Sequence, residues 1–370
     1  MVAALCAAAA AADLADEETR EAMREIFQSM RYLLPLSAGD SWQDAEQAGP
    51  VRDALQTVAE RASLLAEHAQ GDLELHYLGS TLAATLRKVL QRYERAEFEP
   101  ARFLLLRATD YCIACHSRLP AHKDAPQAVD FVNGTALVNL TFEQRARLQM
   151  ATRRFGDALA SLETLFGASG VHPSQLPGAL VDYLIISIRV RRDFDRALDT
   201  LHRFTQRSDL WIDLRADVRH WLDALREFRS TPLDPPTLAL GIELIERATD
   251  GRRYTADRRS LVHYVLASSV LHRFVESQPQ RDELAHAYYL LGLSEYRIGG
   301  NFWIPQGELF LEWAIRLAPA SPVAADAYAL LEEEILAGYT GSSGLHLPED
   351  ERQRLQGLRA LIGAHPEQEL

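Results

Sequence analysis

The sequence is poor in cysteine and has no long apolar run, and both shortages narrow the possible classes of protein. The 370 residues include three cysteines: Cys112 and Cys115 lie three positions apart, and Cys6 stands alone near the start. A tetrahedral zinc site would need a second pair of thiols or histidines at short spacing, which the sequence lacks. No apolar run approaches the ~20 residues of a membrane-spanning helix, so we expect no transmembrane span.

Lysine is also scarce, and acidic residues outnumber basic ones. Lys88 and Lys123 are the only lysines, and the formal net charge is −13. Nucleic acids and anionic lipids both bind concentrated basic surfaces, so this charge balance argues against either as a partner. With 47% hydrophobic residues, the chain still has enough apolar material for two cores.

The sequence does contain one C-x-x-C-H motif, Cys112-Ile113-Ala114-Cys115-His116. Two thiols three positions apart on a helical turn can form thioethers to both vinyl groups of a haem, and the adjoining imidazole can then ligate the iron. Thioredoxin-like dithiols share the C-x-x-C spacing, but they open a helix in a βαβ unit, and the surrounding residues indicate helix alone. The motif therefore predicts one covalently attached haem c, with His116 as the proximal iron ligand.

Residues 1–12, an alanine-rich apolar run, are typical of a secretory signal peptide. The basic residues that usually precede such a run are missing, as expected if the signal is truncated; the alternative is a frayed alanine helix. Because haem c is attached in the periplasm of Gram-negative bacteria, the motif favours an exported bacterial protein that resides there.

Residues 13–120 divide into four amphipathic stretches, which predict four helices. The first ends before Pro35, the second stops at Gly71, and Pro120 closes the fourth. Similar lengths and short connections favour an antiparallel four-helix bundle. The apolar stripes comprise Leu14, Ala22, Met23, Ile26, Phe27 and Met30; Val51, Leu55, Val58, Ala62 and Leu65; Leu75, Leu78, Leu82, Leu86 and Val89; and Ala101, Leu104, Leu105, Ala108, Cys112 and Cys115.

This arrangement resembles the cytochrome c′ family over about a third of the chain, through its helix order, the motif that closes helix four, and Met23 in helix one. In that family the haem lies between the helices and a residue of the first helix faces its distal side. The resemblance thus implies that Met23 is a candidate distal ligand. The family's aromatic and arginine a turn after the motif are replaced by residues 117–120, which leaves Arg118 as the candidate for a propionate contact.

Three possibilities stay open for the sixth coordination position. In an antiparallel bundle the end of helix four lies beside the start of helix one, so Met23 is nearer the iron than Met30. The Met23 thioether would give a low-spin centre with a raised potential, although most methionines on a helix stripe only fill the core. The other possibilities are an open or apolar distal side and ligation by His68 or His76.

After a linker predicted at 121–138, the pattern changes to helix pairs. Residues 154–159 recur at 193–198, a displacement of 39 positions, and residues 287–319 have the small and aromatic residues of a further pair. Residues 139–340 resemble tetratricopeptide (TPR) repeats, interrupted near 302–305; a generic α-solenoid is the alternative. A turn and a short helix at 348–363 complete the chain.

The expected fold is therefore all-α, a bundle carrying haem c followed by an α-solenoid of TPR-like helix pairs. The expected function is electron transfer, with the repeats docking a redox partner protein. Five aromatic residues are candidates for that surface or for the core: Trp211, Trp221, Tyr288, Tyr289 and Trp303. We find no catalytic constellation and expect no enzyme; the alternatives are a sensor that binds nitric oxide or carbon monoxide at an open distal site, and a scaffold whose haem is structural.

Overall fold

The computed structural model describes residues 2–37, 39–69, 72–118, 141–250, 257–299, 306–342 and 344–363, with side chains from Glu17 onward except those of Asp40 and Arg118. The described part is all-α, as predicted, apart from one hairpin of two-residue strands. None of its helices is long and apolar enough to cross a lipid bilayer. The predicted linker and the interruption at 302–305 lie outside the described residues.

The described residues form fifteen α-helices. They are α1 (Val2–Ser37), α2 (Ala48–His68), α3 (Leu73–Glu94), α4 (Phe98–Arg118), α5 (Phe142–Ala151), α6 (Phe155–Gly167), α7 (Pro177–Ile185), α8 (Phe194–Phe204), α9 (Ile212–Phe228), α10 (Leu238–Asp250), α11 (Leu261–Glu276), α12 (Arg281–Ile298), α13 (Gly307–Leu317), α14 (Pro322–Gly338) and α15 (Glu349–Gly363). Short 3₁₀ turns occupy Asp40–Gln43 and Pro173–Gln175, and a π-helical segment, Ile186–Val190, continues α7. The hairpin pairs β1 (Thr340–Gly341) with β2 (Gly344–Leu345).

The chain divides into two compact units, residues 1–161 and 162–370. In the N-terminal unit α1 to α4 share one apolar core, which Leu148 of α5 also joins. Consecutive helices pack on each other, and α4 contacts α3 and α5 more extensively than α1. The closed four-helix bundle and the predicted domain boundaries therefore stay predictions.

One end of this core is closed by Trp42, a fully buried residue of the first 3₁₀ turn. Its indole N–H donates to the carbonyl of Phe98 at 3.2 Å, and the Tyr93 hydroxyl donates to the carbonyl of Trp42 at 3.3 Å. The Trp42 and Tyr93 rings meet edge to face, with centroids 5.0 Å apart. These contacts join the end of α3 and the start of α4 to the α1–α2 connection, which leaves the C-terminal end of α4 at the opposite end.

The prediction that helix one ends before Pro35 is wrong, because α1 runs on to Ser37. Proline has no N–H, so the helix loses only the bond to the carbonyl of Arg31. In any helix the carbonyls of the last four residues, here Leu34–Ser37, lack helical partners. The Ser37 hydroxyl donates to the carbonyl of Leu34 at 2.8 Å and satisfies one of them.

The 39-residue repeat has a structural counterpart at two helix junctions. Phe155 begins α6 and Phe194 begins α8, at equivalent positions of the two copies. Two residues earlier, Arg153 and Arg192 both have a positive φ, 62° and 52°. Left-handed residues are typical where one helix ends and the next begins. The repeated sequence therefore specifies a repeated turn, whereas the solenoid as a whole stays a prediction.

Small residues set the helix spacing in the C-terminal unit. A Cβ built on Gly292 of α12 would lie 2.6 Å from Leu311 of α13, and one on Gly241 of α10 would lie 2.5 Å from Leu271 of α11. A side chain at either position would force the facing leucine to move, so glycine favours the close approach of these helices.

Of the candidate surface aromatics, Trp221 and Tyr288 are buried core residues, Trp211 is exposed and Tyr289 half-buried; Trp303 lies outside the described residues.

A buried ion pair joins the π-helical segment to α12. Arg189 donates to the Glu295 carboxylate at 2.7 Å, and the hydroxyl of Ser268 in α11 donates to the same oxygen at 3.0 Å. Burial alone would raise the pKa of Glu295, but the Arg189 charge, the neighbouring His272 and the Ser268 hydrogen bond lower it to about 2. Glu295 is therefore ionised across the physiological range.

We expect Glu295→Gln to lower the free energy of unfolding by about 3–5 kcal/mol, because it removes the carboxylate charge that the buried Arg189 faces. The measurement is urea denaturation at pH 7. Since the folded pKa lies below the ordinary 4.5, this stabilisation is present above pH 4.5 and disappears as the pH falls toward 2. Asp223→Asn, in an exposed pair with Arg226, is the control and should change stability by less than about 1 kcal/mol. Equal effects of the two variants would contradict the assignment.

Candidate functional site

The C-x-x-C-H motif occupies the last two turns of α4. At roughly 100° per residue, Cys112, Cys115 and His116 continue the stripe that begins with Ala101, Leu105 and Ala108. Those three earlier residues are at most 1% exposed against the shared core. The two thiols and the imidazole are only half-buried. The core-facing side of α4 therefore opens where the motif begins, at the end opposite Trp42.

The other side of the same turns is covered instead. Asp110, Ile113, Ala114 and Ser117 project away from the stripe and are all buried. The helix α5 packs on α4, and Arg147 of α5 reaches this side. The end of α4 thus lies between the N-terminal core and a fifth helix, and only the motif stripe is partly open.

Asp110 is a carboxylate buried between the two helices. It forms ion pairs with Arg147 of α5 and with Arg107 of its own helix, the latter at 3.0 Å. Arg147 also donates to the Thr109 hydroxyl at 2.9 Å and to the carbonyl of Leu106 at 3.0 Å. Burial raises the pKa of Asp110 to about 6, although both arginines oppose the rise. Arg147 is therefore the main polar link between α5 and α4.

His116 is held by the C-terminal end of α5. Its Nδ1 lies 2.8 Å from the carbonyl oxygen of Ala151. A carbonyl can only accept, so Nδ1 carries the proton and Nε2 keeps its lone pair. Burial and the charge of Arg153 lower the pKa of His116 to about 4, against the opposing effect of the Ala151 carbonyl. At neutral pH the residue is thus a neutral imidazole with Nε2 able to bind a metal ion.

The end of α5 explains why this carbonyl is available. The N–H groups of Arg153 and Arg154 donate to the carbonyls of Met150 and Gln149, the pattern of a Schellman cap. The positive φ of Arg153 makes this cap possible. The cap satisfies those two carbonyls and leaves that of Ala151 to another donor. His116 supplies that donor from 35 residues earlier in the chain.

The two thiols belong to the same half-open stripe, and neither forms a disulfide. The Cys112 Sγ lies 3.8 Å from the carbonyl of Ala108. Burial and the nearby Asp110 carboxylate raise the pKa of Cys112 to about 11. Within the described residues, no three His, Cys, Asp or Glu side chains converge as a metal cage would require.

The candidate ligands for the sixth coordination position differ in how many of their donor atoms already contact other residues. Met23 is a half-buried residue of α1. His68 uses both ring nitrogens, with Nδ1 3.0 Å from the Thr19 hydroxyl and Nε2 3.2 Å from the Glu18 carboxylate. His76 is bound only through Nδ1, 2.8 Å from the carbonyl of Ala66, so its Nε2 keeps a lone pair. The side chain of Arg118 lies outside the described residues.

No family model, curated protein or solved structure matches this chain. Two thiols spaced for thioether attachment and a neutral imidazole with an available Nε2 share one helix face that is partly open. This donor set fits a haem c better than a zinc ion, which would need four converging ligands.

Arg147, Asp110 and the carbonyl of Ala151 were not predicted from the sequence. One signal for a covering element was present, since Ile113, Ala114 and Ser117 make the last turns of α4 apolar or small on the side away from the core. A helix that is hydrophobic all round is buried all round. The identity of the covering helix has no comparable signal.

In the unmodified chain, we expect Cys112 to react slowly with iodoacetamide at pH 8, because its raised pKa leaves little of the reactive thiolate. With Cys6 and Cys115 replaced by alanine, the alkylation rate should still be rising above pH 10, as a pKa of about 11 requires. The control is the same protein unfolded in urea, where the rate should level off near the ordinary thiol pKa. A folded-state rate that levels off near pH 8.5 would contradict the raised pKa of Cys112.

Proposed function

We propose that the chain is a monohaem c-type cytochrome that transfers single electrons. Cys112 and Cys115 carry the thioether bonds, and His116 is the proximal ligand. The supporting observation is the His116 imidazole, which is neutral and bound through Nδ1, with Nε2 able to coordinate iron. Metal-binding histidines characteristically donate their second ring N–H to a carbonyl or carboxylate, and Ala151 provides that acceptor.

A bound haem would supply one-electron chemistry, its iron alternating between the ferrous and ferric states. The protein holds and shields this group. The buried residues behind the motif, Ile113 and Ala114, keep water away from one side of the attachment helix. The half-open stripe leaves an edge through which an electron can pass to another protein. Arg118 follows the motif and is our candidate for a propionate contact.

We also propose a four-helix bundle of cytochrome c′ type for residues 13–120 and partner docking by the TPR-like region at 139–340. Trp211 lines a cavity of about 370 Å³ with Trp221, Asp217 and Arg258, and the adjacent Ile212 is 81% exposed. Exposed aromatic and aliphatic side chains beside charged groups are common at protein interfaces. Residues 1–12 would direct the protein to the periplasm, where haem c is attached.

The second candidate function is binding of nitric oxide or carbon monoxide at an open sixth position. The half-burial of Met23 and the exposure of His76 favour neither function, because each side chain keeps a donor atom, the Met23 sulfur and the His76 Nε2, that is able to bind iron. The distal ligand therefore decides between an electron carrier and a gas-binding protein.

Expression with a bacterial cytochrome c maturation system should yield protein that gains the mass of one haem and keeps it through denaturation. The Cys112→Ser/Cys115→Ser double variant should retain no haem on a denaturing gel, because no thioether can form. Cys6→Ser, which leaves the motif intact, should behave as wild type. Wild-type protein without covalent haem would overturn the proposed function.

If Met23 binds the iron, the oxidised protein should show the far-red charge-transfer band of sulfur-ligated haem, and the reduced protein should not bind carbon monoxide. Met23→Leu should abolish the band and allow carbon monoxide to bind. Met30→Leu, a core change in the same helix, should do neither. A wild-type protein that lacks the band and binds carbon monoxide would establish the gas-binding alternative.

A further inference from the structure

We infer that α5 is part of the haem site and that Arg147 is a positioning residue for the axial ligand, holding α5 so that its terminal carbonyl fixes the His116 imidazole. This inference rests on the proposed ligation of iron by His116. It extends the site beyond residue 120, to a helix that the sequence assigns to the repeat region. It also assigns a role to a residue that touches neither the haem nor the motif.

The first step is the attachment of α5. Arg147 contacts three successive features of α4: the carbonyl of Leu106, the hydroxyl of Thr109 and the carboxylate of Asp110. Its side chain is four-fifths buried. Such multidentate, charge-assisted contacts restrict both the distance and the rotation of one helix against the other. Leu148, next along α5, adds an apolar contact to the shared core.

The second step is the transfer of that constraint to the imidazole. Ala151 follows Arg147 by four residues, one helical turn, so its position depends on where Arg147 is anchored. Its carbonyl belongs to the C-terminal end of α5, the negative end of the helix dipole. The Schellman cap leaves this oxygen to the His116 Nδ1–H. The ring orientation and tautomer of His116 are therefore set by α5 and not by its own helix.

The third step concerns the iron. A hydrogen bond from Nδ1–H to a carbonyl at a negative dipole end makes the imidazole a stronger electron donor. A stronger donor stabilises the ferric state and lowers the reduction potential. Loss of the Ala151 contact should therefore raise the potential. Simple removal of a nearby positive charge should lower it, so the two effects can be told apart by sign.

The test compares holoprotein carrying Arg147→Met with holoprotein carrying Arg145→Met. Both variants remove one arginine charge from α5, but only the first breaks the link to Asp110 and Thr109. We expect the potential to rise in Arg147→Met and to stay unchanged or fall slightly in Arg145→Met. Arg147→Lys, which keeps the charge, should give an intermediate rise.

A second readout follows the hydrogen bond itself. In the reduced low-spin protein, with carbon monoxide added if the sixth position is open, the His116 Nδ1–H gives a proton signal whose exchange with solvent can be timed by NMR. We expect at least tenfold faster exchange in Arg147→Met than in wild type or Arg145→Met. If Arg147→Met does not fold, the same two measurements are made on Thr109→Val, which removes the hydroxyl that Arg147 contacts. We then expect a smaller rise in the reduction potential and, again, faster exchange of the His116 Nδ1–H.

The outcomes separate this inference from the proposed function. Wild-type protein without covalent haem would overturn both. Covalent haem with equal potentials and equal exchange rates in the Arg147 and Arg145 variants would overturn only the role of α5. A fall in potential in Arg147→Met matching that of Arg145→Met would show a charge effect alone and would likewise reject the positioning role.

Discussion

The ion pair between Asp110 and Arg147 is the interaction on which the organisation of the N-terminal unit depends. A carboxylate that is 1% exposed between two helices requires an opposing charge, because an uncompensated buried charge costs several kcal/mol. Two arginines meet that need, yet the pKa of Asp110 still rises to about 6, so the compensation is incomplete. The carboxylate therefore favours any arrangement that keeps Arg147 in place, and this fixes α5 against the end of α4.

The two ends of the N-terminal core are packed in different ways. At one end Trp42, Tyr93 and Phe98 fill the space with rings in edge-to-face contact, and their polar atoms find backbone partners. At the other end the core stripe continues into two thiols and an imidazole, which are only half-buried. The proposed haem would cover this part of the stripe.

The sequence predicts the helices that form this site better than the contacts between those helices. The spacing of apolar residues and the positions of glycine and proline predict the bounds of α2, α3, α4 and the final helix within a few residues. These signals are local in the sequence. The error at Pro35 is also local, since a proline near a helix end costs little. The contact of His116 with Ala151 is different. It joins a side chain to a backbone oxygen 35 residues away, and every residue has that oxygen, so no residue type marks it.

The proposed axial ligands would then be governed by different constraints. On the proximal side, a rigid cap and a buried ion pair determine the orientation and donor strength of His116. On the distal side, Thr19 and Glu18 already occupy both nitrogens of His68, whereas Met23 and the Nε2 of His76 keep available lone pairs. A thioether raises the potential of a haem and a carbonyl-bound imidazole lowers it. The potential would thus reflect a balance in which α5 sets one side independently of whatever residue occupies the other.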